Sequence, residues 1–191
     1  ILGISTFPYS LKNFFLEGTQ QVSASWITLE NLSFPYCISI NSSYIYEQST
    51  DERINQNDAA ITLAHELGHY LGLRHVFSEG GTTSMCTDTD YCKDTPSYNR
   101  SEYEQWLNNL DKQNKYQLKD LAKRYSCEKG EYEAHNIMDY AYCFYNEITL
   151  EQRKRIRHIL NYSPLIPGPK ESRIDTRGVQ GRLNLPICIM K

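Results

Sequence analysis

The stretch His65-Glu66-Leu67-Gly68-His69-Tyr70-Leu71-Gly72-Leu73-Arg74-His75 decides the fold. His65 and His69 are four residues apart. On a helix that spacing puts both imidazoles on one face, about one turn apart. Both can then reach a single Zn²⁺ at about 2.0–2.1 Å. Glu66 follows the first histidine, where a carboxylate can take a proton from an attacking water. A third protein ligand leaves one tetrahedral position open for chemistry. His75 stands three residues beyond Gly72, and a continuing helix would carry it away from the metal. Glycine tolerates a positive φ that turns the chain back, so Gly72 is expected to end the helix and deliver His75. Ordinary residue frequencies produce the whole pattern in a chain this long with a chance of about 10⁻⁵. Three of the five histidines fall inside these eleven residues.

The surrounding sequence supplies the helix. Asn57 or Asp58 is a good N-cap. Ala59, Ala60, Leu63, Ala64, Leu67 and Leu71 follow as an apolar stripe at helical spacing. Upstream, Cys37-Ile38-Ser39-Ile40 alternates between Pro35 and a turn cluster and reads as a strand. Ile1 to Phe7 reads as another, stopped by Pro8. Downstream, residues 76–100 are loop-like. Residues 101–126 read as helical, with Trp106, Leu107, Leu110, Leu118, Leu121 and Ala122 among charges. Residues 130–147 carry aromatics and turns. Thr149 opens a last helix, with Gln152 completing a capping box and Ile156, Ile159 and Leu160 forming the apolar face. Arg153, Lys154, Arg155 and Arg157 read as a solvated face of that helix. The tail, 161–191, reads as an extended strap.

Composition bounds the rest. The chain has 191 residues, 40% hydrophobic and 23% charged. That fits one domain able to bury roughly 70% of its unfolded surface, and excludes wholesale disorder or fibrous repeats. A formal charge of -3 gives no overall footprint for nucleic acid. No apolar run approaches the ~20 residues of a membrane span. The six cysteines, Cys37, Cys86, Cys92, Cys127, Cys143 and Cys188, contain no CxxC. Scattered and even in number, they suit three disulfides and an extracytoplasmic, oxidising compartment, with the pairing left open; the alternative is six free, buried thiols in a cytosolic protein. The chain starts at Ile1 without a signal peptide, and reads as a processed or trimmed piece of a longer product.

The eleven residues are the long zinc signature of the metzincin metallopeptidases, which the chain resembles. Downstream, His135-Asn136-Ile137-Met138-Asp139-Tyr140 is similar to the methionine turn of that group. The resemblance implies that Met138 packs beneath the three imidazoles as a soft apolar base. It also implies that the Tyr140 hydroxyl bonds the developing oxyanion. Within the metzincins, Asn136 to Tyr140, Leu73 and Phe77 around His75, and Asp94-Thr95-Pro96 resemble the pappalysins, including their cytophagalysin-like and ulilysin-like bacterial members. The likeness runs from about residue 57 to 160.

The resemblance implies an α+β metzincin catalytic domain over residues 1–191. Residues 1–75 would form a sheet-containing upper part ending in the zinc helix. Residues 76–160 would form a lower part with the Met-turn and last helix, and 161–191 the tail. It implies disulfides Cys86–Cys127 and Cys92–Cys143, leaving Cys37 with Cys188. It suggests calcium near Asp88, Asp90 and Asp94, which are hard oxygen ligands. Only 56 residues precede Asn57, and no backing-helix pattern lies among them, so part of the upper subdomain is expected to be missing. The implied function is a zinc endopeptidase acting on extended protein or peptide substrates. The catalytic residues would be Glu66 and Tyr140, and the zinc ligands His65, His69 and His75. The alternative is an inactive zinc-containing module that binds proteins or peptides, against which the intact Glu66 argues.

Overall fold

The computed structural model describes residues 1–32, 36–44, 58–79, 85–110, 118–126, 128–140 and 142–166. The elements are β1 (Gly3–Ser5), β2 (Tyr9–Leu11), β3 (Gln20–Val22), β4 (Ile38–Ile40), α1 (Ala59–Tyr70), α2 (Arg100–Leu110), α3 (Leu118–Leu121), β5 (Lys123–Ser126), β6 (Gly130–Glu133) and α4 (Leu150–Tyr162). The architecture is α+β. Among the described residues the strands form three two-stranded ladders: β1–β4 antiparallel, β2–β3 parallel and β5–β6 antiparallel.

Helix α1 starts where the sequence predicts. The Asp58 carboxylate accepts from the backbone N–H groups of Ala60 and Ile61 at 2.8 and 3.2 Å, satisfying donors that the first turn leaves open. The helix lies against β1 and β4. Its apolar stripe is not its buried face. Leu63 and Leu67 remain 48% and 44% exposed, while Thr62, Glu66 and Gly68 are buried. An amphipathic helix ordinarily turns its apolar side inward. Here the side that carries the site faces the interior.

Helix α4 keeps the predicted capping box. Gln152 N–H donates to Thr149 Oγ1 at 3.3 Å, and Thr149 N–H donates to Gln152 Oε1 at 3.0 Å. The basic cluster on α4 divides. Arg153, Lys154 and Arg157 are exposed, but Arg155 is buried. It donates to the carbonyls of Gly72 and Glu17, so α4 braces the turn that ends α1.

The helix expected over 101–126 is corrected. Helices α2 and α3 cover 100–110 and 118–121, residues 111–117 lie outside the described residues, and residues 123–126 form strand β5 instead. The charges there belong to a hairpin: β5 pairs with β6 from Lys123↔Glu133 to Ser126↔Gly130. Gly130, at φ +75°, sits where that hairpin closes.

Among the described residues three apolar clusters hold the fold together. One joins Val22, Ile27, Tyr36, Ile159, Leu165 and Ile166. The second, Leu73, Val76 and Met138, lies under the site. The third stacks Phe77, Tyr98 and Tyr103. Of the tail, residues 167–191 lie outside the described residues.

Candidate active site

The two helical histidines need a third, and the end of α1 provides it. Gly72 has φ +88°. Its N–H donates to His69 O and the Leu73 N–H to Gly68 O, both at 2.9 Å. This is a Schellman closure, with glycine in the left-handed position and the next residue, Leu73, buried. A Cβ on Gly72 would stand 2.8 Å from Ile159 Cγ1, so both backbone and space exclude a side chain there. The reversed chain brings His75 back to His65 and His69.

Each imidazole is fixed through Nδ1. His65 donates to Ile137 O at 2.7 Å, His69 to Leu73 O at 2.8 Å, and His75 to Glu79 Oε1 at 2.5 Å. Those acceptors place the proton of each neutral ring on Nδ1. The three Nε2 lone pairs are left facing one another. His75 Nε2 is 3.2 Å from that of His65 and 3.0 Å from that of His69. Lone pairs so close repel unless a cation lies among them. Ligands about 2.0–2.1 Å from a tetrahedral zinc stand about 3.3 Å apart, so the donor set fits Zn²⁺. Among the described residues this is the one group of His, Cys, Asp or Glu that could hold a metal.

Burial makes the site resist protonation. His65 is pushed down to about 3, by burial first and then by His69 and His75. His69 is pushed down to about 4, by burial and then His75. Both would titrate near 6.5 in the unfolded chain. Acid therefore protonates the unfolded state first, and stability rises with pH across that interval. We expect the thermal midpoint of chelator-treated protein to fall as pH drops from about 6.5 toward about 4, followed by circular dichroism. A midpoint that stays flat over that range would contradict the assignment of two neutral, buried imidazoles.

Glu66 is 8% exposed, and burial raises its carboxyl above the ordinary range, opposed by the Ser5 hydroxyl and His75. Strand β1 passes closely over it: a Cβ on Gly3 would meet Glu66 Cγ at 2.8 Å. Glu66 and His65 line a cavity of about 390 Å³ with Ile61, Arg100 and Tyr140. The Tyr140 ring centroid lies 4.3 Å from that of His75 and 5.5 Å from that of His65. Burial raises its phenol, so the hydroxyl stays a donor at neutral pH.

Met138 is 0% exposed. A Cβ on Gly68 would collide with its sulfur, so the missing side chain next to His69 admits the thioether against α1. The turn is pinned on both sides. Asn136 and Gln152 exchange side-chain amide bonds at 2.8 and 3.1 Å. Asp139 accepts from Tyr98 Oη at 2.6 Å and stands 3.4 Å from Arg124 Nε. Arg124 also donates to the carbonyls of Tyr140 and Tyr142. Sequence reading missed Gly68, Glu79, Arg124 and Arg155. Only Glu79 carried a signal, as an acid four residues past the third histidine.

The aspartates near residue 90 bond to the backbone and side chains around them. Asp88 Oδ1 accepts from the N–H groups of Asp90 and Tyr91. Asp90 accepts from Cys92 N–H and Thr95 Oγ1, and Asp94 from Glu151 N–H. They order turns and the start of α4. The disulfide pattern also changes. Cys86 is disulfide-bonded, whereas Cys37, Cys92 and Cys143 are free thiols. The expected Cys92–Cys143 and Cys37–Cys188 bonds are therefore not formed; Cys127 and Cys188 lie outside the described residues. Each of the two buried sulfurs has its own surroundings. Cys143 Sγ donates to Asn136 O and accepts from Tyr145 N–H, while Cys92 lies near Asp90 and Arg155.

Three imidazoles from an HExxHxxGxxH segment, above a buried methionine turn, define a metzincin-type centre. The family model for peptidase M43, described as pregnancy-associated plasma protein-A, matches residues 26–161, and the chain belongs to that family. It is 37% identical over 108 residues to an extracellular metalloprotease of Arthroderma benhamiae, covering 55% of this chain and 32% of that protein. An extracellular metalloprotease of Trichophyton verrucosum matches with the same figures. The match thus spans about a third of those relatives' length. No solved structure matches. Among the described residues no helix is long and apolar enough to cross a membrane.

Proposed function

We propose that the protein is a zinc-dependent endopeptidase that hydrolyses extended polypeptides outside the cytoplasm. One observation carries the reading: three Nε2 lone pairs converge beside a buried carboxylate. His65, His69 and His75 would hold the metal. Zinc bound there supplies Lewis acidity, drawing electron density from a scissile carbonyl and from water.

The chain's own residues do the rest. Glu66 accepts the proton of the attacking water on its carboxylate and passes it to the departing amine. The Tyr140 hydroxyl donates to the oxygen on which negative charge develops. Strand β1 supports an extended substrate, because its neighbourhood lines cavities on both sides of the triad. Ile1, Leu2 and Gly3 border the cavity with Glu66, while Ser5, Thr6 and Phe7 border a second one with His69 and Arg74. A peptide laid along a strand edge gains backbone hydrogen bonds and exposes alternate side chains to such pockets. The extracellular names of the relatives support the location.

Cleavage of casein and a peptide library tests the reading. Chelation is expected to abolish it and stoichiometric zinc to restore it. Stoichiometric zinc binding with no cleavage across varied substrates would favour the binding-module alternative.

A further inference from the structure

The three imidazoles are not held alike. His65 and His69 donate from Nδ1 to backbone carbonyls, which are neutral. His75 donates to a carboxylate, Glu79 Oε1. His75 also lacks the helix that fixes the other two rings, since it lies beyond the Gly72 turn. We propose that Glu79 is a positioning residue for the metal centre: it holds the His75 ring in its ligating orientation, with Nε2 turned toward the other two imidazoles. The inference rests on the triad being the zinc site.

Glu79 is itself held for this task. Its backbone N–H donates to Thr89 Oγ1 at 3.2 Å, and that hydroxyl donates to Phe77 O at 3.1 Å. Arg74 Nη1 stands 4.0 Å from its second oxygen, Oε2. Arg74 is anchored in turn by two bonds to Gly18 O and lies over the Phe7 ring. The Phe77 ring stacks on His75 at 4.7 Å with an interplanar angle of 10°. The imidazole is thus clamped flat by an aromatic face while the carboxylate sets its rotation about that face. A negative partner on Nδ1–H shifts electron density toward Nε2, which strengthens the bond to a cation there.

Such an outer partner ordinarily contributes about 10–100-fold in metal affinity. Glu79→Ala is expected to weaken zinc binding to the full chain by about that factor, measured by competition with a chromophoric chelator. Glu79→Gln keeps an acceptor for Nδ1–H but removes the charge, so its loss should be smaller than that of alanine. The d–d absorption of the cobalt-substituted protein is expected to shift in both variants, a change that loss of stability alone does not produce. If Glu79→Ala does not fold, judged by circular dichroism, Glu79→Gln decides. A variant that folds and keeps zinc affinity within twofold, with the wild-type cobalt spectrum, overturns the proposal. Wild-type protein that binds no zinc would instead overturn the reading beneath it.

Discussion

Glu66→Gln is expected to lower kcat on a peptide substrate by about 10²–10⁴-fold, the share that a positioned general base commonly supplies. KM and zinc content should change little. The amide keeps the size of the carboxylate, and Glu66 is not among the three convergent histidines. The same near-isosteric swap relieves Glu66 of a charge that burial disfavours, so stability should not fall. Steady-state kinetics with metal analysis on the same preparation separates the outcomes. Retained kcat with intact zinc would remove Glu66 from the mechanism. Loss of zinc with loss of activity would make its role structural.

Arg124→Met is expected to cost about 3–5 kcal/mol of stability, because it strands Asp139 as an unpaired charge in the interior. Side-chain exposure of the pair is 0% and 1%. A domain of this size loses about 2–4 °C of thermal midpoint per kcal/mol, so a fall on the order of 10 °C should be seen. The variant also frees the Tyr140 and Tyr142 carbonyls that Arg124 binds, so activity should fall further than the folded fraction. Pairing Arg124→Met with Asp139→Leu should recover much of the stability, since apolar replacements of buried ion pairs are often neutral or better. A single variant as stable as wild type would mean that Asp139 takes up its proton at little cost.

The three histidines were legible because the chemistry imposes a local code. Two histidines at helical spacing, a glycine and a third histidine fit within eleven residues. The caps of α1 and α4 were legible for the same reason, since Asp58 and Thr149 bond backbone groups two or three residues away. What failed was non-local. Arg124 reaches Tyr140 and Tyr142 across 16 and 18 residues, and no pattern in Lys123–Ser126 announces a hairpin partner. Arg155 looked like one of four surface cations, yet it serves a carbonyl 83 residues away. The apolar stripe of α1 misled because periodicity reports which residues share a face, not which face is covered. Gly68 gave no sign either: its role exists only against Met138.

The bond from His65 to Ile137 spans 72 residues, and it orders events as the protein is made. A chain growing from its N-terminus carries all three histidines long before Ile137 and Met138 exist. At that stage α1 is marginal, since a helix of 12 residues draws most of its stability from tertiary packing, and the His65 ring has no carbonyl to set its rotation. The half-made chain therefore lacks the ordered arrangement of the three imidazoles. Synthesis of the methionine turn and its docking under Gly68 complete the catalyst in a late, long-range step of the kind that folds slowly. For the endopeptidase proposed above, activity would depend on the completed fold, because the site is assembled across that sequence distance.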